Sequence, residues 1–518
     1  MTTHSHHIKN PVAGPTPELR QFTLLVLVIV TLFCVWIGAR AELLPEETYY
    51  WMYSQHRALS YFDHPPMVAW LIECGTWLFG NNELGVRSGT ILLTLGNCWL
   101  MYALGVRWFN ARVGWWSLLL FLTLPVYVGT GLFTLPDGPL IFFWLLTLYA
   151  ITRAVQADSP RLPAGRDNGI PAATLYWLLA GVAFGGALLS KYYAVLLAPS
   201  LLLFLLLSPQ DRRWLRRPQP WLALLIAIVL FSPVILWNAE YDWASFLFQS
   251  TRTAVQKVNP LIGDANFWLF QLSSLTPLGL VLMALTTVRG VRRGWQSRED
   301  SWNFAVAFSV PLFCVFLLAS FKIKVHVDWT APAFLSLCPA GAAVFLEKLD
   351  AHPRRWRWGG ITQGLISAAI LMLAMTSLTF GVPSFRHAGG WRSLAGQVSG
   401  AADHLATVTH RQPFVVGVDK YYLASELGFY MHRPNDTINR YALGDTGLGY
   451  RYWTDLGRLE GRPAIAVLPR ITSANMAPLA AHFTTLGPAV RVQVHSLGKG
   501  LRTVWLVNCY GYHRNKGV

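Results

Sequence analysis

Several residues able to perform acid-base or phosphate chemistry lie beside long apolar runs in this sequence. The stretch "ELLPEETYYWMYSQHRALSYFDHPP" (residues 42–66) follows the first apolar run and contains Glu46, Glu47, Asp63 and His64. Later stretches add Asp137 in "FTLPDGPL", Lys191 in "LLSKYYAVLL", and Lys322 and Lys324 in "FKIKVHVDW". A carboxylate can act as a general base, and lysines, with or without a metal ion, can bind a phosphate. These residue types predict a site that binds a phosphate-bearing ligand and moves a proton.

Simpler explanations exist for most of these residues when each is taken alone. Acids in water-facing loops are often only solvated, and lone histidines such as His64 and His326 are weak evidence for a metal. Lys191 is harder to explain as a surface residue, because it interrupts the apolar run from Leu178 to Leu207. Nearby aromatic residues are more typical of a membrane-interface belt than of a sugar-binding surface: Tyr49, Tyr50, Trp51, Trp70 and Trp77.

The composition predicts an integral membrane protein. Of the 518 residues, 53% are hydrophobic and 13% are charged, and the mean hydropathy is +0.37. A soluble protein of this size would carry about 25% charged residues. The formal net charge of +16 comes mainly from basic residues in short loops between apolar runs. The charge therefore indicates membrane topology, and nucleic acid is not expected as a partner.

The apolar runs predict a polytopic α-helical protein with about eleven transmembrane helices. The fifth and sixth spans are short and could form one kinked unit. The predicted spans are about 22–39, 86–106, 113–131, 138–152, 175–189, 192–208, 221–237, 265–287, 302–321, 329–346 and 360–380.

Alternate loops between these spans differ in their basic residues, with 19 Lys and Arg in one set and 8 in the other. The positive-inside rule makes the richer set cytoplasmic. This topology predicts a cytoplasmic tail at 1–21, a transmembrane domain at 22–384 with its first outer loop at about 40–85, and an outer domain at 385–518. The first span is too long for the core of a cleavable signal peptide, so it is expected to stay as a helix.

The sequence from residue 385 onward predicts a small α/β domain. "PFVVGVD" and "PAIAVLP" read as short buried strands, and "YYLASELGFYMH" reads as a helix between them. The alternating segments "VRVQVHSL" and "TVWLVNCYGY" predict further strands. With these sides assigned, the candidate site residues all fall on the outer face, which favours one common site.

Longer segments resemble a known family. The pattern "PEETYYW…YFDHPPMVAWLI…LFGNNELGVR" closely resembles the first outer loop of bacterial glycosyltransferase family 39 proteins of the GT-C class. This group includes protein O-mannosyltransferases and lipid A aminoarabinose transferases. The segments "TLPDGPLIFFW", "LLSKYYAVLLAPSLLL", "FSPVILWNAEYDWASFLFQ" and "KVHVDWTAPAF" are similar to later family segments, in the same order. The resemblance spans roughly residues 20–345.

The resemblance implies a GT-C fold and a multi-pass transferase of the bacterial inner membrane. Such an enzyme moves a sugar from a polyprenyl phosphate donor on the outer leaflet to an envelope acceptor by a single inverting displacement. Lipid A, the lipopolysaccharide core, another glycan and a protein are all open as acceptors. Glu46 and Glu47 correspond to the Asp-Glu pair of the family, in which an acid deprotonates the acceptor, so a Glu stands here in place of the Asp. Asp137 matches a second acidic position, expected to orient the acceptor or to support the first loop.

The resemblance also implies how the donor phosphate is bound. Asp63 and His64 fall where relatives have an acid followed by a Lys or His, near the phosphate or a divalent metal ion. Lys191 matches a basic residue expected against the phosphate, and Lys322 and Lys324 are further candidates. A divalent metal is the one cofactor that the sequence leaves open.

Two other classes of function also fit the pattern. A transporter or flippase would place charges near the bilayer centre and often shows repeated halves, whereas this sequence shows no repeat and its charges favour one end of the spans. A non-catalytic envelope protein whose outer domain binds glycan is the second alternative.

Overall fold

The structure is a computed structural model that describes residues 17–158, 170–255, 259–380, 389–496 and 499–514. The predicted boundary between 384 and 385 lies outside these residues. Helices make up the described chain up to Phe380, and a sheet with flanking helices follows. The helices of the first part are α1 (Pro17–Arg40), α2 (Pro45–Gln55), α3 (Met67–Phe79), α4 (Glu83–Trp108), α5 (Ala111–Leu122), α6 (Pro125–Leu132), α7 (Asp137–Ala157), α8 (Ala172–Leu188), α9 (Leu197–Leu207), α10 (Pro218–Glu240), α11 (Ala244–Val255), α12 (Pro260–Ser297), α13 (Asp300–Ala307), α14 (Val310–Ser320), α15 (Ala331–Leu335), α16 (Leu337–Ala351) and α17 (Pro353–Phe380).

Six stretches of helix within the described ranges are long and apolar enough to cross a membrane, or up to seven if a bent pair counts as one span. Shorter apolar helices add to these, including α8 and the stretch Tyr192–Leu207 around α9. The protein is therefore a multi-pass helical membrane protein, and the count of eleven spans stays a prediction. The six are Thr23–Arg40, Glu83–Trp108, Asp137–Ala157, Pro218–Glu240, Leu261–Ser297 and Asp300–Ser320.

Two of the predicted spans are bent or broken. The stretch predicted as one span at 113–131 is the pair α5 and α6, which meet at an angle of 71° just before Pro125. Helix α12 is kinked at Thr276, whose φ of 64° and ψ of 161° are non-helical, and Pro277 follows it. A proline cannot donate the helical hydrogen bond and clashes with the preceding turn, so both bends have a local cause.

The predicted first outer loop is largely helical. Helix α2 begins at Pro45, a residue favoured at a helix start, and α4 begins after Asn82, whose side chain accepts the Gly85 amide at 2.9 Å. Helix α3 packs closely on α4, because a Cβ on Gly75 would lie 2.2 Å from the Gly85 carbonyl oxygen. These contacts hold the segment that contains Glu46 and Glu47 against the membrane domain.

The last part of the described chain forms a five-stranded sheet with strand order β2-β1-β3-β5-β4. The predicted strands at "PFVVGVD" and "PAIAVLP" are confirmed as β1 and β3, which pair in parallel, and β5 is antiparallel to β3 and to β4. The strands are β1 (Phe414–Gly417), β2 (Thr437–Ile438), β3 (Ala464–Leu468), β4 (Phe483–Ser496) and β5 (Lys499–Tyr512), and the helices are α18 (Trp391–Thr409), α19 (Tyr422–Tyr430), α20 (Tyr450–Trp453) and α21 (Ser473–His482).

Both faces of the central strands are covered, as parallel strands require. Val415 and Ile465 point to a core formed with α18. Phe414 and Ala464, one residue earlier on each strand, point to a second core that also contains the buried aromatic residues of α2. The outer domain thus packs against the first outer segment, and the two share one hydrophobic core.

Candidate active site

Glu47 is held in a closed, fully buried ion pair. Its Oε1 accepts the Arg87 Nε at 2.8 Å and the Thr134 amide at 2.9 Å, while Oε2 accepts the Arg87 guanidinium at 2.5 Å and the Leu44 amide at 3.0 Å. Both side chains are 0% exposed. Arg87 uses its remaining donors on backbone carbonyls, those of Gly38, Ala41 and Glu42. Every direction around this carboxylate is occupied, so Glu47 ties α2 to α1, α4 and the turn before α7.

Lys191 lies between two carboxylates. Its Nζ is 2.7 Å from Asp137 Oδ2 and 2.9 Å from Asp328 Oδ2. Asp137 begins α7 and is buried, whereas the side chain of Asp328 keeps 24% of its exposure. With both carboxylates ionised, the triad would have two negative charges for one positive charge. The sequence predicted that Lys191 and Asp137 belong to one site, and the structure brings them into contact.

Tyr50 of α2 connects these groups with the first outer segment. The pKa of its phenol is well above the usual value, first because it is buried, and then because four carboxylates repel its ionised form: Asp63, Glu46, Asp137 and Asp328. The four acids come from three separate stretches of the chain, and all of them are near enough to Tyr50 to act on its hydroxyl group electrostatically. This is the candidate active site.

Glu46 is adjacent in sequence to Glu47 and has a different environment. Its side chain is only partly buried. Burial raises its pKa above the ordinary value, the neighbouring Glu47 adds to the rise, and Lys420 of the outer domain opposes it. A carboxylate that holds its proton more tightly than usual is a stronger base when ionised. Of the two adjacent acids, Glu46 is the one placed to exchange a proton.

Asp63 and His64 lie on the same side as the cluster. Asp63 Oδ2 accepts the Tyr49 hydroxyl at 3.0 Å, and Gln249 of α11 donates to the Asp63 carbonyl at 2.6 Å. The His64 ring meets the Tyr50 ring edge to face, with centroids 5.7 Å apart. The loop predicted to hold these residues therefore contacts both α2 and α11.

The predicted metal site at Asp63 and His64 has two protein donors. A structural or catalytic metal generally takes at least three protein ligands, and no group of three or more His, Cys, Asp or Glu side chains suited to a metal occurs in the described ranges. Since these residues do not complete a ligand set, no catalytic step is assigned to a metal, and the metal stays a prediction.

Lys322 and Lys324 lie on the loop that leads to Asp328. Along this loop Lys322, Lys324 and His326 are exposed, whereas Ile323 and Val325 between them are buried. The alternation places the three basic residues on one side of an extended segment. They precede Asp328 by two to six positions in the sequence.

Two simpler explanations for the first outer loop do not hold. Its acids are not all solvated, because Glu47 is fully buried. Tyr49, Tyr50 and Trp51 do not form a membrane-interface belt either, since at most 8% of each is exposed and they pack in the core shared with the outer domain. The domain predicted at 385–518 packs on α2 and buries them, a contact that the sequence did not reveal. Trp70 and Trp77 are 36% and 82% exposed and remain compatible with a belt.

Polar contacts also join the outer domain to this segment. Glu42 accepts the amides of Trp391 and Arg392 at 3.0 and 3.2 Å, which places a carboxylate at the amino end of α18. The Tyr49 hydroxyl accepts the Gly449 amide at 3.0 Å, and the Tyr430 hydroxyl accepts the Leu43 amide at 2.9 Å. The outer domain therefore supports the helix that carries Glu46.

Known proteins with similar sequences are membrane transferases. A family model described as dolichyl-phosphate-mannose-protein mannosyltransferase matches residues 63–237. The lipid A galacturonosyltransferase RgtD of Rhizobium johnstonii is 24% identical over 56% of this chain and 58% of its own length. An undecaprenyl phosphate-alpha-4-amino-4-deoxy-L-arabinose arabinosyl transferase of Pseudomonas fluorescens is 25% identical over 72% of this chain and 66% of its own length. The match thus spans about three fifths to two thirds of the length of these relatives.

Solved structures share the fold over nearly the whole chain. The structure of ArnT from Cupriavidus metallidurans in the apo state covers 94% of this chain and 98% of its own, with a TM-score of 0.64 and 16% identity. The chain therefore has the GT-C fold. The structure of ArnT bound to undecaprenyl phosphate is also similar, with a TM-score of 0.62. The archaeal oligosaccharyltransferase AglB of Archaeoglobus fulgidus aligns with 97% of this GT-C protein at a TM-score of 0.53.

Sequence reasoning did not assign roles to three residues of this GT-C site. Arg87 lies four residues after the start of α4. An arginine this close to an apolar run indicates that a carboxylate is buried nearby. Asp328 stands in the quoted segment "FKIKVHVDW", but nothing in the sequence shows that it meets Lys191. Tyr50 is one of several adjacent aromatic residues, and only the fold singles it out.

Proposed function

We propose that this protein is a glycosyltransferase that moves a sugar from a polyprenyl-phosphate-linked donor to an envelope acceptor on the periplasmic face of the inner membrane. The observation that carries the proposal is the contact of Lys191 with Asp137 and Asp328 at one end of a GT-C membrane domain, near the segment that holds Glu46 and Asp63. Relatives named for lipid A and for an undecaprenyl-phosphate-linked sugar support a lipid-linked donor and favour lipid A as the acceptor.

The distribution of charge supports the periplasmic side for this site. The loops assigned to the cytoplasm carry most of the basic residues, and several of these pair with acids at helix ends. Arg112 near the start of α5 meets Asp350 near the end of α16 at 2.8 Å, and Arg217 meets Asp158 at 2.6 Å. The acid cluster lies at the other ends of these helices, since Asp137 begins the same α7 that ends beside Asp158. The amino terminus is then cytoplasmic and the sheet domain periplasmic.

Glu46 is the proposed base. It takes the proton from the acceptor hydroxyl or phosphate as that oxygen attacks the anomeric carbon of the donor sugar. Glu47 is assigned a positioning role, because its two oxygens already accept four hydrogen bonds. Asp137 is proposed to support this arrangement through Tyr50 and Lys191, with no proton transfer of its own.

The leaving phosphate needs positive charge on the opposite side of the sugar. Lys322 and Lys324 are exposed on the loop that leads to Asp328, and His64 lies against Tyr50. These three side chains are proposed to bind the polyprenyl phosphate and to stabilise the charge that develops on it. Lys191 is already held by two carboxylates, so it is proposed to position Asp137 and Asp328 and to contribute charge to the site at a distance.

This assignment of the base and of the phosphate-binding residues implies a single displacement. The base and the leaving group act from opposite faces of the ring, so the anomeric configuration inverts and one carboxylate suffices for the proton. A transporter or flippase remains the alternative function. It would move its substrate without cleaving the bond between the sugar and the phosphate.

Mass spectrometry of envelope lipids tests the proposal. A strain that lacks the protein is expected to lose one glycosyl increment on a glycolipid or other acceptor and to accumulate the polyprenyl-phosphate-linked sugar. Reintroducing the wild-type gene should restore both. Unchanged acceptors, or a donor that disappears together with the product, would contradict a transferase.

A further inference from the structure

A small cavity of about 260 Å³ lies where three parts of the protein meet. The segment after α2 supplies one wall, with His56 and Phe62. The outward end of α10 supplies Trp237 and Tyr241, and α20 of the outer domain supplies Tyr452. Pockets for drug-sized ligands have volumes of about 300–1,000 Å³, so this cavity suits a single ring.

Aromatic side chains dominate the walls of the cavity. The Tyr452 ring is stacked on Phe62, with centroids 5.4 Å apart, and it meets Trp237 and Tyr241 with centroids 5.3 Å away in each case. The ring of Trp453 stacks on His56 at 5.0 Å. Aromatic faces pack well against the C–H faces of a sugar ring, whose hydroxyl groups point outward in its plane.

Polar groups accompany these rings. The indole N–H of Trp453 is buried, and no acceptor for it occurs among the residues that the structure describes. Arg57 also lines the cavity, and its side chain is 80% exposed while it pairs with Glu73 at 2.5 Å. The cavity therefore combines aromatic faces, a buried donor and a cation at its open side. A lipid chain would leave the two polar groups unused.

The cavity is directly connected to the candidate active site. Phe62 in its wall precedes Asp63 in the sequence. Gly449, which also lines the cavity, donates its amide to the Tyr49 hydroxyl at 3.0 Å, and that hydroxyl donates to Asp63 Oδ2 at 3.0 Å. The lining of the cavity thus adjoins Asp63, one of the acids that act on Tyr50.

We propose that this cavity binds a sugar ring of the acceptor, with Tyr452 as the stacking surface and Arg57 facing an anionic substituent such as a phosphate. The inference rests on the proposed function and adds a site for the acceptor that the acid cluster does not provide. The donor is expected elsewhere, because its phosphate is assigned to Lys322, Lys324 and His64.

Binding of the glucosamine disaccharide bisphosphate, which is the lipid A headgroup without its acyl chains, tests the inference. The full-length protein in phosphatidylcholine nanodiscs is titrated with this probe and, separately, with inorganic phosphate. Tyr452→Ala is expected to weaken the affinity for the disaccharide by about tenfold or more. Tyr452→Phe keeps the ring and should bind as the wild type does. Tyr510→Ala, on β5 and outside the cavity, is the matched control and should also bind normally.

Three results would overturn the inference. They are wild-type affinity in Tyr452→Ala, wild-type binding of the disaccharide no tighter than that of inorganic phosphate, and equal weakening in Tyr510→Ala. The unfolding temperature of each variant is measured in the same nanodiscs, so that loss of folding is separated from loss of the cavity. Failure of the proposed function has a different signature, since it leaves the envelope lipids of the deletion strain unchanged whatever the titration shows.

Discussion

Two buried ionic clusters in the described part of the chain differ in charge balance and in access. Glu47 and Arg87 form a one-to-one pair that is 0% exposed, with the carboxylate oxygens fully occupied. Lys191 faces two carboxylates, and one of them, on Asp328, remains partly exposed. Both clusters lie near the same end of the membrane domain.

This difference gives the Glu47–Arg87 pair a structural role and the Lys191 cluster a chemical one. A closed, neutral pair has no lone pair or proton left to offer, so it can only hold its helices in place. An open cluster with excess negative charge responds to protons, cations and phosphates that approach it. Buried charge near a membrane is therefore not sufficient evidence for catalysis, and the number of partners around each charge decides its role.

Breaking the closed pair should have the largest effect on stability. Arg87→Met leaves Glu47 buried without its cation, which is expected to cost about 3–5 kcal/mol of folding free energy. Thermal unfolding in one detergent at a fixed scan rate measures the loss. Arg112→Gln removes an exposed ion pair and is the matched control, with little or no change in unfolding temperature expected. An Arg87→Met protein as stable as this control would contradict the structural role.

Breaking the open cluster should affect activity more than stability. Lys191→Met leaves Asp137 and Asp328 facing each other, and the pair can relieve its repulsion by taking up a proton, so a loss of only about 1–3 kcal/mol is expected. Sugar transfer by the purified protein should fall by at least about tenfold. Adding Asp328→Asn removes the surplus charge and should restore part of the stability. If the double variant is less stable than Lys191→Met, the charge balance inferred for the triad is wrong.

Glu426 of α19 is a third kind of buried acid, and its substitution should change stability less than the substitutions above. It is 0% exposed, neither of its oxygens has a hydrogen-bond partner among the described residues, and burial raises its pKa well above the ordinary value. The folded state then holds this proton to higher pH than the unfolded state does, so stability is lost as the pH rises above about 4, the ordinary range of a glutamate. Glu426→Gln cannot ionise and should be more stable than the wild type at pH 7, by on the order of 1–2 kcal/mol.

The same variant should match the wild type near pH 4, where both side chains are neutral. Unfolding temperatures at the two pH values test this. A variant that is less stable at pH 7 would show that Glu426 is ionised and paired in the folded protein.

The sequence predicted the membrane class and the strands that follow residue 385, because apolar runs and alternating patterns are local signals, and it placed Asp137 and Lys191 in one site. It could not predict that Asp328 meets Lys191, since the two are 137 positions apart. It also misjudged Tyr49 and Trp51, because their burial depends on how the outer domain packs on α2. Contacts between segments far apart in the sequence form most of the site, and a single sequence gives little information about such contacts.

The central claim is that adjacent Glu46 and Glu47 have different roles, and transfer kinetics of the two glutamine variants test it most directly. The purified protein is assayed with its polyprenyl-phosphate-linked donor, and kcat is measured alongside the unfolding temperature. Glu46→Gln should lower kcat by about 10²–10⁴-fold and leave the unfolding temperature unchanged. Because the pKa of Glu46 is raised, kcat/KM of the wild type should increase with pH above the ordinary glutamate range. Glu46→Gln should abolish that increase. Glu47→Gln should instead lower the unfolding temperature. Wild-type kcat in Glu46→Gln, or a stable Glu47→Gln protein that has lost only its chemistry, would contradict the account.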